Sequence, residues 1–323
     1  MGLEHVGEAV RRLVEESPNL TIFFHVDLDG VCSAAIAYRR ARRRPRLAPT
    51  TARGIYRGIR RLLGPGSAGL VLDLSLKSLS EALGVSSAVK GRGVRLAWID
   101  HHQWPGKALE ELRRAGILLY LDTGAPTATL TCRVLGCDET EKRIAMIGAY
   151  DDMCHPDPEG LVRKWRLVLR YTGFEGMKRA VESLAAGTLW PEWAEEVYRE
   201  KEAEYKELLS RISINKYSFE QVTVAVVTAP PRLTICDMEL WGRLPRDTDI
   251  TLILYPRAVS IRANNPSIDA ACIARRLGGG GHRSAAGAPR LTTQSPPVIA
   301  RTIARLASYC MKEGNQEQPP PGW

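Results

Sequence analysis

One six-residue segment, His25-Val26-Asp27-Leu28-Asp29-Gly30, limits the folds open to this chain more than any other feature. It follows the apolar run 20–24, which predicts a buried strand, and precedes the small-residue run 31–37, which predicts a helix. An imidazole and two carboxylates therefore lie in a strand-to-helix turn. In an open α/β sheet, such a turn borders the crevice where ligands bind. These groups would repel or desolvate one another unless a cation lay between them.

Three further apolar segments end in acids or histidines. Those polar residues are Asp73, Asp100, His101, His102, Asp151 and Asp152. If all four apolar segments are parallel strands, their polar ends lie along one edge of a sheet. Taken alone, Asp73 is just as typical of a helix cap, but the four sets together favour a shared site.

The donor types at this edge predict a metal centre. Carboxylates with a few imidazoles and no thiolate suit Mn²⁺ or Mg²⁺ best, and Zn²⁺ and Co²⁺ are also compatible. The ligands outnumber the needs of one ion, whereas two ions roughly 3.5–4 Å apart would use them all. Such a pair suits phosphate-ester hydrolysis, because one ion lowers the pKa of the attacking water and both spread the phosphoryl charge.

These motifs resemble those of the DHH phosphoesterase superfamily, in its DHH–DHHA1 branch of RecJ-like and oligoribonuclease-like proteins. The tripeptide 100–102 gives the superfamily its name, the segment 25–30 resembles the first motif, and Asp73 resembles the second. The segment 148–152 resembles the fourth motif, a glycine followed four residues later by an acid, and this spacing selects Asp152 over Asp151. The spacing in the first motif resembles that of archaeal members.

The resemblance implies a role for each polar residue. The implied metal ligands are His25, Asp27, Asp29, Asp73, His101 and Asp152. Asp73 would bridge two ions, with His25 and Asp27 on the first and the other three ligands on the second. His102 would contact the scissile phosphate, and Asp100 would orient a histidine by accepting its second ring proton.

A glycine-rich segment near the C-terminus resembles the motif of the DHHA1 domain and predicts phosphate contact. Its candidate substrate-binding residues are Gly279, Gly280, Gly281, His282 and Arg283. Glycines let backbone N–H groups approach an anion closely, and the charged side chains add contacts. The resemblance also implies that Arg262, on a predicted strand at 259–262, points toward the substrate. The alternative is a flexible turn after a predicted helix at 268–277.

Length and charge suggest the partner. The 323 residues are enough for two domains, and the net charge of +9 favours a polyanion. We therefore expect single-stranded RNA or DNA, or short oligonucleotides. The run Arg39–Arg44 fits either phosphate contact or a solvated helix face. The seven scattered cysteines predict free thiols. With no apolar span or signal peptide in the sequence, we expect a cytoplasmic protein that does not bind membranes.

The predicted architecture is α/β with two domains. A parallel-sheet DHH domain with flanking helices is expected at 1–158, a helical linker at 159–214, a smaller α/β DHHA1 domain at 215–312 and a disordered tail at 313–323. The resemblance places the active site in the cleft between the two domains. A further helix is expected to begin at Thr127, after the strand 117–121.

The expected function is that of a divalent-metal-dependent phosphodiesterase. It would act as an exonuclease that releases mononucleotides from single-stranded nucleic acid by two-metal hydrolysis. One alternative is a small-molecule enzyme, either a nucleoside 3′,5′-bisphosphate phosphatase or a cyclic dinucleotide phosphodiesterase. A second alternative is a non-catalytic nucleic-acid-binding subunit of a repair or replication complex. The sequence leaves protein partners open, and a dimer is compatible with it.

Overall fold

The computed structural model describes residues 2–231, 233–289 and 295–314. The chain forms two compact units: the first extends to Glu202, and the second begins at Ala203. Each contains a sheet flanked by helices, so the predicted α/β class is confirmed. The boundaries at 158 and 214 stay predictions, and from residue 315 on the predicted tail lies outside the described residues. In the part of the chain that the structure describes, no helix is both long and apolar enough to cross a membrane.

The first unit is built around a five-stranded parallel sheet with the strand order β2-β1-β3-β4-β5. Its strands are β1 (Leu20–Phe24), β2 (Arg46–Pro49), β3 (Ala68–Leu72), β4 (Arg95–Asp100) and β5 (Leu118–Leu121). Its helices are α1 (Leu3–Glu16), α2 (Leu28–Arg40), α3 (Ile55–Leu62), α4 (Leu79–Val89), α5 (Gly106–Arg114), α6 (Thr127–Leu135), α7 (Glu139–Asp152) and α8 (Leu161–Ala185). The helix α9 (Glu192–Ser210) includes the boundary between the units.

The register of the central strands brings the polar turns together. Strands β1 and β3 are buried along their whole length, as expected for parallel strands covered on both faces. Phe24 lies opposite Leu72, and Leu72 lies opposite Ile99. The residues that directly follow these three positions are therefore neighbours at the carboxyl edge of the sheet.

The fourth apolar segment is not a strand. Residues 145–149 belong to the helix α7, so the expectation that four parallel strands deliver the polar residues is wrong for this segment. A capping box starts the helix: the Asp138 side chain accepts from the Glu141 backbone, and the Glu141 side chain accepts from the Asp138 backbone. The buried residues of α7 recur with helical spacing, which the short apolar run conceals. Asp151 and Asp152 thus come from the last turn of a helix.

Three of the five arginines in the run Arg39–Arg44 pair with acids of other helices. Arg40 pairs with the buried Glu141 at 2.5 Å, and Arg44 pairs with Glu182 at 2.5 Å. Arg39 pairs with Asp138 at 3.1 Å. These three arginines connect α2 to α7 and α8, and they are therefore not a free phosphate-binding surface.

The expectation of free thiols is wrong for six of the seven cysteines, which are disulfide-bonded. Cys132 is joined to Cys137, and Cys272 is joined to Cys310, with Cα–Cα distances of 5.2 and 6.0 Å. The second pair is 38 residues apart in sequence, so only folding brings its members within bonding range. Cys32 is a buried free thiol.

The second unit contains a six-stranded mixed sheet with the order β10-β11-β9-β8-β7-β6. Its strands are β6 (Ser213–Phe219), β7 (Val222–Thr228), β8 (Ile250–Leu254), β9 (Ala258–Ala263), β10 (Gly280–Gly281) and β11 (Ala285–Pro289). Its helices are α10 (Ile235–Leu240), α11 (Ala270–Arg276) and α12 (Pro296–Gly314). Strands β6 and β7 form a hairpin that reverses at Glu220, which has a φ of +50°.

Candidate metal centre

Two groups of potential ligands meet at the carboxyl edge of the first sheet, and a third group, Asp73, His101 and His102, overlaps both. In the first, the Nδ1 atom of His25 lies 2.5 Å from Asp27 Oδ2 and 3.6 Å from Asp73 Oδ2. The second consists of Asp29, His101 and Asp152. Within each group, one ligand atom from each residue lies within 4.8 Å of the others. The structure thus brings together all six residues that the sequence nominated as metal ligands.

His101 has the surroundings of a metal-binding histidine. Its Nε2 atom is buried and makes no hydrogen bond, yet it lies 3.5 Å from Asp73 Oδ1 and 3.5 Å from Asp152 Oδ1. A buried ring nitrogen without a partner is costly. A cation between the nitrogen and the two carboxylates would satisfy all three groups, so the residues present fit a divalent ion.

The first polar turn has little freedom to change shape. Asp27 is the N-cap of α2, and its Oδ1 atom accepts from Gly30 N at 3.0 Å. A Cβ atom on Gly30 would lie 2.4 Å from the carbonyl oxygen of His25. Glycine is therefore required here by the close approach of the backbone, and this tight turn aims His25, Asp27 and Asp29 at one place.

The start of α6 fixes two of the carboxylates. The backbone N–H groups of Thr127 and Ala128 donate to Asp29 Oδ2 and Oδ1 at 2.9 and 3.0 Å. The Thr127 hydroxyl donates to Asp73 Oδ1 at 3.0 Å. The predicted helix start at Thr127 is confirmed, but its part in the site was left open by the sequence. The favourable end of the helix dipole adds to the stabilisation of Asp29.

The carboxylates are crowded enough to require a counter-charge. Burial raises the pKa of Asp73 well above its ordinary value, and the charges of Asp27 and Asp29 raise that pKa further. Burial also raises the pKa of Asp29 well above normal, and the charge of Asp27 adds to this effect. Burial alone would lower the pKa of His25, but the hydrogen bond and charge of Asp27 outweigh it and raise that pKa. Asp73 further adopts a left-handed φ of +60°, which is uncommon for a residue other than glycine.

The second histidine of the DHH tripeptide, His102, is oriented by a contact with the buried Asp100. Asp100 is fully buried, and its Oδ1 atom lies 2.7 Å from His102 Nδ1. Its other oxygen accepts from the indole N–H of Trp104 at 2.6 Å. This places the His102 proton on Nδ1 and leaves Nε2 for an outside partner. The sequence nominated Asp100 and His102 but missed Trp104, although an indole two residues after the motif was a readable signal.

Asp151 has a different environment from Asp152. One of its oxygens accepts from Leu28 N at 3.1 Å, and the other pairs with Arg166 of α8. Asp151 therefore holds the beginning of α2 in place, while Asp152 faces His101. Arg166 was missed because its position 15 residues later in the chain carries no local signal.

Gly148 lets α7 approach the site closely. A Cβ atom there would lie 2.7 Å from Asp29 Oδ1, 2.8 Å from Ala128 Cβ and 3.1 Å from Cys32 Cβ. The glycine is therefore explained by the packing of α7 against α2 and α6. Its spacing from Asp152, one helical turn, places that acid over the same face of α7.

The glycine-rich segment of the second unit forms a tight hairpin. Gly280 and Gly281 pair with Gly287 and Ala286 of β11. A Cβ atom on Gly279 would lie 2.0 Å from Gly287 O, and one on Gly281 would lie 2.5 Å from Ala286 Cα. Packing thus explains these two glycines, whereas Gly280 has no neighbour within 4 Å of a Cβ position. The segment begins as a turn after α11, where Gly278 has a φ of +78°, and continues as the strand β10.

The charged substrate-binding candidates of the second unit lie around this hairpin. His282 and Arg283 are exposed, and Arg283 donates to the carbonyl oxygen of Pro266 at 3.2 Å. Arg262 lies on β9, opposite Ala285 of β11. Burial lowers the pKa of Arg262, although the nearby Tyr255 and Glu239 oppose that effect. Whether these groups meet a phosphate stays a prediction.

Comparison with known proteins depends on structure rather than sequence. No protein-family model and no curated protein matches this sequence. Among solved structures, a DHH domain described as belonging to a family of ribosomal proteins is similar, with a TM-score of 0.66 and 14% identity. That match covers 94% of this chain and 89% of the other.

Two enzymes with known structures are also similar in fold. RecJ from Thermus thermophilus, solved in complex with Mn²⁺, matches with a TM-score of 0.56 and 17% identity, over 96% of this chain and 55% of RecJ. The pGpG-specific phosphodiesterase PggH from Vibrio cholerae matches with a TM-score of 0.53 and 11% identity, over 90% of this chain and 99% of PggH. This chain therefore spans about half the length of RecJ. At these identities the comparisons establish the fold.

Proposed function

Because this chain has the fold of the DHH phosphoesterase superfamily, we propose that it is a divalent-metal-dependent phosphodiesterase. It would act as an exonuclease that removes mononucleotides from single-stranded RNA or DNA, or from short oligonucleotides. One observation carries the proposal: the group His25, Asp27 and Asp73 lies beside the group Asp29, His101 and Asp152. Two adjacent groups that each fit a divalent ion are what two-metal phosphoryl hydrolysis requires.

The ligand assignment follows the two groups. His25 and Asp27 would hold one ion, the second group would hold the other, and Asp73 would contact both, since it lies near His25 and also near His101. Oxygen donors with few imidazoles favour Mn²⁺, with Mg²⁺, Co²⁺ and Zn²⁺ as competitors. The similar RecJ was solved with Mn²⁺. Once bound, the ions would lower the pKa of a water molecule and neutralise phosphoryl charge.

The remaining residues would bind and orient the substrate. Asp100 and Trp104 hold His102 so that its Nε2 atom can donate to a phosphate oxygen when the ring is protonated. In the second unit, Arg262, His282 and Arg283 would supply positive charge for phosphates of the substrate. Phosphate contact would also come from the backbone of Gly279–Gly281. Gly280 supports this role, because packing does not explain it.

The proposal is tested with Asp73→Asn and a matched control, Asp122→Asn. Both acids follow strands of the same sheet, but Asp122 pairs with Arg133 and belongs to no candidate metal group among the described residues. Wild type is given labelled single-stranded RNA and DNA, a linear dinucleotide, a cyclic dinucleotide and a nucleoside bisphosphate, each with Mn²⁺ or Mg²⁺. Asp73→Asn should reduce turnover by about 10²–10³-fold, the loss typical of one essential charge-stabilising group, and Asp122→Asn should not.

Metal binding is measured separately from turnover. At a Mn²⁺ concentration of about 100 times Kd, binding adds about 2.7 kcal/mol to the stability of the folded state. For a unit of this size, that raises Tm by about 5–10 °C. The rise should disappear with chelator and should be much smaller in Asp73→Asn. Equal turnover in Asp73→Asn and wild type would reject the metal centre, and hydrolysis limited to cyclic dinucleotides or bisphosphates would reject the exonuclease.

A further inference from the structure

A long stretch of the first unit carries only positive charge. Between Asp29 and Asp73 the sequence contains ten arginines and no acidic residue. This stretch includes the end of α2, the strand β2 and the helix α3. Whatever neutralises these arginines must therefore come from elsewhere in the fold or from a ligand.

The fold neutralises only part of this stretch. Three arginines at the end of α2, Arg39, Arg40 and Arg44, pair with Asp138, Glu141 and Glu182. The arginines of α3 do not pair in this way. In the described chain, Arg57, Arg60 and Arg61 form no ion pair, and Arg60 donates a hydrogen bond to the Tyr56 hydroxyl at 3.5 Å. Arginine-rich surfaces that serve thermal stability do so through networks with acids. That explanation does not fit α3.

The α3 arginines form one continuous outward face. Ile55 and Ile59 are buried against the sheet, so the opposite side of the helix is solvent-exposed. On that side, Arg57, Arg60 and Arg61 are all exposed. Arg57 and Arg61 are four residues apart, which places them about 6 Å apart along the helix axis. We call these three residues the α3 arginine face.

This face begins at the edge of the sheet that carries the candidate metal centre. The strand β2 ends at Pro49, and the next residue, Thr50, donates its backbone N–H to Phe24 O at 2.9 Å. Phe24 directly precedes His25. Because α3 starts five residues after Thr50, it runs from this edge along the outside of the unit. A chain of phosphates leaving the centre would meet the arginines in order.

We propose that the α3 arginine face binds the backbone phosphates of a single-stranded nucleic acid whose end is held at the candidate metal centre. This inference depends on the proposed function and deepens it, because it selects a polymer over a small phosphate ester as substrate. Guanidinium groups suit phosphate oxygens through paired N–H donors. Without base contacts, such a surface accepts RNA or DNA of any sequence.

The test replaces the whole face at once with Arg57→Gln, Arg60→Gln and Arg61→Gln. Fluorescence anisotropy measures binding of a labelled single strand longer than the roughly 4–16 nucleotides that single-strand sites cover, with Ca²⁺ in place of Mn²⁺. Three lost phosphate contacts should reduce the slope of log K against log salt by about 2, and weaken binding about 10- to 50-fold at about 0.15 M salt. Turnover of a dinucleotide, which reaches only the metal centre, should stay within about twofold of wild type.

A matched control removes the same charge from the C-terminal ends of α4 and α5, which lie at the opposite edge of the sheet. Lys90, Arg113 and Arg114 are exposed there, and their replacement by Gln should leave strand binding nearly unchanged. Both triple variants should keep the wild-type Tm, because their altered side chains are exposed. Equal losses in the two variants, or no loss in the α3 variant, would overturn the inference. If wild type hydrolyses none of the substrates, the proposed function fails, while the anisotropy comparison still decides whether the face binds a strand.

Discussion

Replacing Gly148 by alanine tests whether the close approach of α7 shapes the candidate metal centre. Gly148 lies inside a helix, where alanine is ordinarily more stable than glycine by about 1 kcal/mol. Here the added Cβ atom would lie 2.7 Å from Asp29 Oδ1 and 2.8 Å from Ala128 Cβ. Real Cβ atoms do not approach this closely, so α7 or the Asp29 carboxylate must move.

The magnitude follows from how little either neighbour can yield. Asp29 is held by two backbone N–H groups of α6, and Ala128 is part of that helix. Overpacking of this kind costs about 1–3 kcal/mol, and a rigid surrounding favours the upper end. After the gain in helix propensity, we expect a net loss of about 2 kcal/mol, or a fall in Tm of about 4–8 °C.

The matched control is Gly84→Ala. Gly84 also lies inside a helix, α4, but its Cβ atom would lie 3.4 Å from Tyr56 Cδ2, an ordinary contact. Thermal unfolding should therefore show Gly84→Ala stabilised by up to about 1 kcal/mol and Gly148→Ala destabilised. Titration with Mn²⁺ should show at least about tenfold weaker binding in Gly148→Ala alone, because Asp29 is displaced. A rise in Tm for Gly148→Ala would refute this account of the packing.

Two further substitutions test residues that bind the buried acids Asp100 and Asp151 beside the candidate metal centre. Trp104→Phe keeps an aromatic ring beside Trp98 but removes the donor to Asp100. We expect urea unfolding to show a free energy of unfolding lower by about 1–3 kcal/mol, and we expect slower turnover with unchanged Mn²⁺ affinity. Unchanged turnover would argue against a role of Trp104 in orienting His102. Arg166→Met leaves the buried Asp151 without its cation and should lower the free energy of unfolding by about 3–5 kcal/mol. Adding Asp151→Asn should restore part of this stability. If it restores none, Arg166 stabilises the fold through other contacts.

The local pattern of the sequence was sufficient for the first three polar turns. Apolar runs that end in His25, Asp73 and Asp100 predicted buried parallel strands, and the observed register confirms that these ends are neighbours. The prediction succeeds because parallel strands buried on both faces are apolar along their length, so the first polar residue marks the edge of the sheet. The same logic failed at 145–149, since a short apolar run is equally compatible with a helix.

The supporting contacts of the site could not be predicted in this way. Arg166 reaches Asp151 from α8, and Thr127 reaches Asp73 over 54 positions in sequence. The arginines show the same limit: Arg40 and Arg57 both lie in arginine-rich helix segments without a nearby acid in sequence, yet one is neutralised and the other is not. Which acid lies opposite a given arginine is decided by helix packing.

The set of chemical groups and the sheet edge that gathers most of them follow from the sequence, because the first polar residue after a continuous apolar run marks the end of a buried strand. How those groups are held, and which of them are neutralised, depends on tertiary contacts. Asp29 and Asp73 are fixed by the start of α6, Asp151 is taken by Arg166, and Asp152 is left to face His101. Each of these outcomes depends on contacts between segments far apart in the chain, whose positions are set by the packing of whole helices.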